Sequence, residues 1–159
     1  DWVAALSQLA SNPEPVALGA PPPAPYAPFM FQRSEAPVRL NGTAPAQAFF
    51  APVVHEGDDR LHVAHVDEHS RCIHVAAYPA APSGDHLPVG EILRDAAQLG
   101  STGLVIAHAE APSHSTDRRR EWPATRHLAE AADLIQVTLL DHLIFHGRDC
   151  TSLRRIGAL

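Results

Sequence analysis

Gly103-Leu104-Val105-Ile106-Ala107-His108-Ala109-Glu110 decides how this chain folds: an apolar run ends in an imidazole and a carboxylate two positions apart. A short unbroken apolar stretch bounded by turn-forming residues reads as a strand buried on both faces. Polar residues at the C-terminal end of such a strand are well placed to build a site. His108 and Glu110 stand at that end, at the head of a polar loop that runs to Glu121.

The elements on either side follow from periodicity. Residues 60–67 and 71–78 are rich in β-formers, and the turn Glu68-His69-Ser70 between them predicts a hairpin. Pro88 opens a helix with Val89, Ile92, Leu93, Ala96 and Leu99 on one face and Gly100 as its stop. Pro123 sits near the start of a second helix, with Ala124, Leu128, Ala131 and Ile135 expected inward. Residues 137–145 read as a further strand, and residues 151–159 as a closing strand or helical turn. The order β-β-α-β-α-β predicts an α/β fold, a mixed sheet with helices against it.

Ten of the fifteen prolines precede Val53. Residues 12–32, with Pro21-Pro22-Pro23-Ala24-Pro25, cannot hold helix or sheet ladders. Residues 1–36 are therefore expected to be a Pro/Ala-rich tail or linker, and residues 37–159 the domain. Trp2, Leu6 and Leu9 fall at helical spacing, either as a short docking segment or as a frayed terminus.

The formal charge is -6, and all twelve basic residues are arginine. That balance argues against a nucleic-acid surface, which needs clustered cations, and Arg118 to Arg120 reads as a solvated loop. No stretch approaches the ~20 apolar residues of a membrane span. The chain opens on Asp1 rather than Met, and its first residues lack the basic start and apolar run of a secretory signal. Cytoplasm is the expected compartment. Cys72 and Cys150 are too few for a disulfide framework and lack metal-site spacing.

A lone His-x-Glu is a weak metal signal, but three stretches in order add a resemblance. Leu104-Val-Ile-Ala-His-Ala-Glu-Ala-Pro-Ser113 resembles the RadC-family pattern of an apolar strand followed by His-Asn-His-Pro-Ser-Gly. Thr125-Arg126-His127-Leu128 is similar to that family's Thr-Arg-Arg-Leu. Leu139-Leu140-Asp141-His142-Leu143-Ile144 is similar to its Leu-Leu-Asp-His-Ile-Ile, and Ser152-Leu153-Arg154 to Gly157 resembles its closing Ser-Leu-Arg-x-x-Gly. The resemblance spans roughly residues 53–159. It implies a JAB/MPN metallopeptidase domain, with the three-layer architecture also found in cytidine deaminases.

In that family a zinc ion is bound by His-x-His and a later Asp. A Glu from an early strand handles the proton of the bound water, and a Ser supports the oxyanion. The resemblance puts His108 at the first His, Glu110 at the second, Glu121 at the Asp, Arg118 at the Ser and Asp59 at the early Glu. Only His108 is unchanged. If Pro112-Ser113 instead matches the family's Pro-Ser with one residue inserted, His114 or Asp117 moves toward the metal, and Glu56 and Asp58 rival Asp59 as the base.

Each departure has a consequence. A carboxylate in place of a neutral imidazole adds negative charge, so a zinc ion acidifies its water less. More oxygen ligands also weaken the preference for zinc over manganese or magnesium. Asp59 is one methylene shorter than Glu, roughly ~1.5 Å of reach, while a general base must come within about 3 Å of its proton. Arg118 offers either an oxyanion donor or a solvated side chain.

Two functions compete on these grounds. One is a zinc- or manganese-dependent hydrolase of a peptide or isopeptide bond. The other is a catalytically silent JAB/MPN domain that binds a protein or peptide partner. A zinc deaminase also uses His-x-Glu but needs a later Pro-Cys-x-x-Cys, which this sequence does not contain. The remaining histidines near the hairpin, His62, His65, His69 and His74, read as ordinary hydrogen-bonded side chains, and Asp141 and His142 as a satisfied polar pair.

Overall fold

Gly103–Ala109, buried along its whole length, is the central strand of a five-stranded mixed sheet. The computed structural model describes residues 37–79, 86–110 and 122–159. In chain order the elements are α1 Thr43–Phe50, β1 Arg60–Val66, β2 Cys72–Pro79, α2 Val89–Leu99, β3 Gly103–Ala109, α3 Trp122–Asp133, β4 Thr138–His146 and β5 Asp149–Ser152. The strands lie in the order β2-β1-β3-β4-β5. β1 is antiparallel to β2 and β3, β3 runs parallel to β4, and β4 is antiparallel to β5.

Side chains alternate across each strand, so one apolar run supplies two cores. Leu61, Val63, Leu104, Ile106 and Leu139 face Ile92 and Ala96 of α2 and Leu128 and Ala132 of α3. Ala64, Val66, Val105, Ala107, Leu143 and Phe145 face Ala46 and Phe50 of α1, with Leu40 and Val54. The result is three layers, helix on sheet on helix. Burying a Leu, Ile or Val side chain this fully contributes about 1.5–3 kcal/mol, so β3 is the strand the fold most depends on.

Gly100 ends α2 in the left-handed conformation, φ 66°, where its N–H meets the last carbonyls of the helix. Gly103 opens β3 for a different reason. A Cβ there would sit 2.9 Å from Val66 Cγ2 and 3.1 Å from Leu140 Cδ1. Gly103→Ala is therefore expected to destabilise the domain by about 1–2 kcal/mol through overpacking. Urea unfolding checks this, and an unchanged midpoint would show that the strand shifts without cost.

The hairpin, both flanking helices and the sheet stand where periodicity puts them. Some details differ. α1 was not foreseen, because the prolines around it suppress any helical reading; Ala46 and Phe50, one turn apart, hold it on the sheet. His108 and Ala109 belong to β3 rather than to the following loop. α3 ends at Asp133, which leaves Ile135 beyond the helix and 43% exposed instead of inward. The closing segment begins earlier than expected, as β5, and continues in turns. The readings of residues 1–36 fall outside the described residues.

Candidate functional site

Antiparallel pairing brings the start of β1 to the edge of the sheet where β3 ends, with His62 opposite Ala107. Parallel pairing brings β4 to the same edge, with Ile106 opposite His142, His108 opposite Ile144 and Ala109 opposite Phe145. Period-two alternation then fixes the faces. His108 and Glu110 share the α2/α3 face with Leu104 and Ile106, and His142 and His146 occupy that face on β4. The Glu110 N–H donates to Phe145 O at 2.9 Å, so the sheet register carries one residue past the strand.

His108 is 8% exposed. Its Nδ1 lies 2.8 Å from His142 Nε2, and the two rings are 4.9 Å apart at their centroids. His142 Nδ1 in turn lies 2.7 Å from Thr125 Oγ1, on α3. Burial holds the His142 pKa well below its ordinary value, and the neighbouring His108 pushes it the same way. His142 is thus a neutral imidazole that links a helix hydroxyl to the strand-end histidine. A Glu110 carboxylate oxygen lies against His146 Nδ1, and His146 Nε2 lies 3.2 Å from Thr151 Oγ1.

Behind this row, the buried Asp141 gathers donors from three segments. Oδ1 accepts the His142 N–H at 2.8 Å and the Arg154 N–H at 3.2 Å. Oδ2 accepts Ser152 Oγ at 2.6 Å and Thr43 Oγ1 at 3.4 Å. The Asp-His pair read from the sequence is satisfied, as expected, but its histidine also reaches the site. That contact was missed. The signal was available in principle: His142 and His146 are four apart on a strand, hence on one face.

Asp59 is exposed just ahead of β1, at the sheet edge that carries His108 and Glu110. Of its rivals, Glu56 is exposed, and Asp58 is engaged with His62 Nε2 at 2.8 Å and Arg60 Nε at 3.0 Å. Burial pushes the Asp58 pKa up, but the hydrogen bonds from His62 and Arg60 outweigh it and hold the carboxyl below its usual range. Arg118 and Glu121 lie outside the described residues, as do Pro112, Ser113, His114 and Asp117. Three of the four histidines on or beside the hairpin meet a polar partner. His62 meets Asp58, His65 Nδ1 lies 3.0 Å from Ser101 Oγ, and His69 is exposed beside Glu68.

Among the described residues, one group offers three potential ligand atoms close together, and it is not here. Asp67, Glu68 and His69 form it, in the β1–β2 turn at the opposite sheet edge. Asp67 is already committed there: Oδ1 accepts the backbone N–H groups of His69 and Arg71, and Oδ2 pairs with Arg71 Nε. It staples the turn. At the β3 edge the described residues supply a nitrogen and a carboxylate on one face, each braced by a β4 histidine. Bracing of this kind is what metal-ligating imidazoles and carboxylates need, and the N/O set suits zinc or manganese. The donor types fit a divalent cation.

The RadC-like JAB domain family matches residues 43–158. A UPF0758 protein of Roseiflexus castenholzii is 23% identical over 116 residues, 72% of this chain and 50% of that protein. One of Chloroflexus aggregans is 24% identical over 122 residues, 76% of this chain and 53% of the relative. One of Bordetella petrii is 30% identical over 69 residues, 43% and 31% respectively. The chain thus spans about half, or less, of the length of these relatives.

Proposed function

The chain belongs to the RadC-like JAB domain family, and from that premise we propose a divergent member whose peptide-bond hydrolysis is impaired and which works in the cytoplasm as a protein-interaction module. One observation carries the reading: a carboxylate, Glu110, stands at the second-histidine position and lies against a ring nitrogen of His146. An imidazole there would leave a cation with its charge undiminished, whereas a carboxylate neutralises part of it and raises the pKa of any bound water. The shortened, exposed Asp59 points in the same direction, because a base held loosely in water transfers protons less effectively. The buried core is complete while the chemistry is altered, the combination expected of a domain retained for binding.

A second reading, a metal-dependent metallopeptidase or isopeptidase-type hydrolase, draws on the contact between His108 Nδ1 and His142. In it His108, Glu110 and Glu121 hold zinc or manganese, Asp59 accepts a proton and Arg118 donates to the oxyanion. The ion would supply Lewis acidity and an acidified water.

Metal content and turnover separate the two. The purified protein is expected to hold zinc and manganese weakly, taking them up on titration but losing them through a desalting column, and to cleave peptide and isopeptide substrates no faster than a blank. Changing Glu110→His together with Glu121→Asp should raise zinc affinity at least about tenfold by restoring an imidazole ligand and lowering the negative charge. Stoichiometric metal with metal-dependent turnover in the unaltered protein would reverse the assignment. No gain in zinc uptake by the double variant would mean that these positions do not face a common ion.

A further inference from the structure

We infer that His142 and His146 of β4 are positioning residues for a divalent cation at the C-terminal end of β3, His142 by fixing the tautomer of His108 and His146 by orienting Glu110. The inference rests on the cation-holding part of the reading above. It adds two residues, and a hydroxyl behind each, that the carried-over ligand set does not contain.

β3 and β4 are parallel neighbours, and His108 lies opposite Ile144, so His142 and His146 straddle it along β4 on the same face. Each meets one assigned ligand: His142 Nε2 stands 2.8 Å from His108 Nδ1, and His146 Nδ1 pairs with Glu110 Oε2. Each is anchored from behind by a threonine hydroxyl, Thr125 for His142 at 2.7 Å and Thr151 for His146 at 3.2 Å. Two ligands and two braces, each with its own anchor, form a repeated arrangement across adjacent strands.

The proton positions follow from hydrogen-bond bookkeeping. His142 is 1% exposed between a hydroxyl and an imidazole, so it carries one ring proton. A threonine in a helix ordinarily donates its hydroxyl to a carbonyl one turn back, which leaves its lone pairs to accept. His142 Nδ1–H then donates to Thr125, and His142 Nε2 accepts from His108 Nδ1–H. With Nδ1 protonated, His108 meets a cation through Nε2 as a neutral imidazole, the form a metal requires. On the other side, His146 binds one Glu110 oxygen and leaves Oε1 as the ligand atom.

The test uses the full chain and two readouts. Long-range ¹H–¹⁵N spectra of histidine-labelled protein, without metal, should show His108 in the Nδ1–H tautomer. Thr125→Val or His142→Ala should mix the tautomers, and His142→Gln, whose carbonyl can accept the same proton, should restore the original one. Titration with Zn²⁺ and with Mn²⁺ should then show affinities about 10–100-fold weaker in His142→Ala and His146→Ala than in the parent. Circular dichroism identifies variants that fail to fold; the parent spectrum and Thr125→Val decide the matter if His142→Ala is one of them. His108 in the Nε2–H tautomer overturns the inference whatever the metal does. Equal affinity in parent and variants overturns it while leaving the cation reading intact. A fixed Nδ1–H tautomer with no uptake of either ion by the parent overturns the cation reading, and with it the positioning role.

Discussion

Lowering the pH from neutral to 4 is expected to cost the folded protein about 3 kcal/mol through His65 alone. His65 is fully buried on β1, with Nδ1 3.0 Å from Ser101 Oγ and Nε2 without a hydrogen-bond partner among the described residues. Burial lowers its pKa to about 4, the neighbouring His74 adds to the effect, and Asp95 opposes it. The sign follows directly. Above the unfolded value of 6.5 both states are neutral and His65 contributes no pH dependence. Between 6.5 and about 4 the unfolded chain binds the proton and the folded chain does not, so stability falls as the pH falls. Below about 4 both states are protonated and the loss levels off. Burial also lowers the pKa of His62 and His142, so they steepen the same limb. Urea unfolding at a series of pH values measures the slope. His65→Leu should flatten it in part, because a leucine forfeits only the Ser101 bond and leaves no ring to charge. An identical slope in that variant would show that the acid sensitivity lies elsewhere.

Asp141→Ala should remove about 3–4 kcal/mol, a large share of the stability of a domain this size. The carboxylate accepts from the His142 and Arg154 backbone N–H groups and from the hydroxyls of Ser152 and Thr43. Removing it leaves at least two buried donors, the His142 N–H and Ser152 Oγ, without an acceptor, and each orphan costs about 1–3 kcal/mol. It also unties α1 and the segment after β5 from β4. Asp141→Asn keeps the shape and one acceptor and should lose roughly half as much. Chemical denaturation of the three proteins at pH 7 checks this. A loss below about 1 kcal/mol in the alanine variant would mean that water replaces the carboxylate without penalty.

Much of this was legible from residue order. The run at 103–107, the hairpin about residues 68–70 and the helix between Pro88 and Gly100 all announce themselves through period and punctuation, which are local properties. α1 does not, because Pro45 and Pro52 sit in and after it, and its stability comes from Ala46 and Phe50 on the sheet. Ile135 continues the inward pattern of α3 on paper, yet the helix has ended by then and the side chain turns out. His108 and Glu110 at the strand end were likewise named from the sequence, but their partners were not. Glu110 and His146 are thirty-six positions apart and meet only because β3 and β4 pair in parallel register.

Sequence alone determined the α/β class, the order of the elements and the identity of the strand-end His108 and Glu110, since each follows from chemistry within a few neighbouring residues. Tertiary structure alone decided that His142 and Thr125 stand behind His108, that His146 holds Glu110, and that Asp141 ties β4 to α1 and β5. The reason is register. A one-residue slip between two strands turns every side chain to the other face, and only the packed cores on both sides of the sheet fix which register is kept.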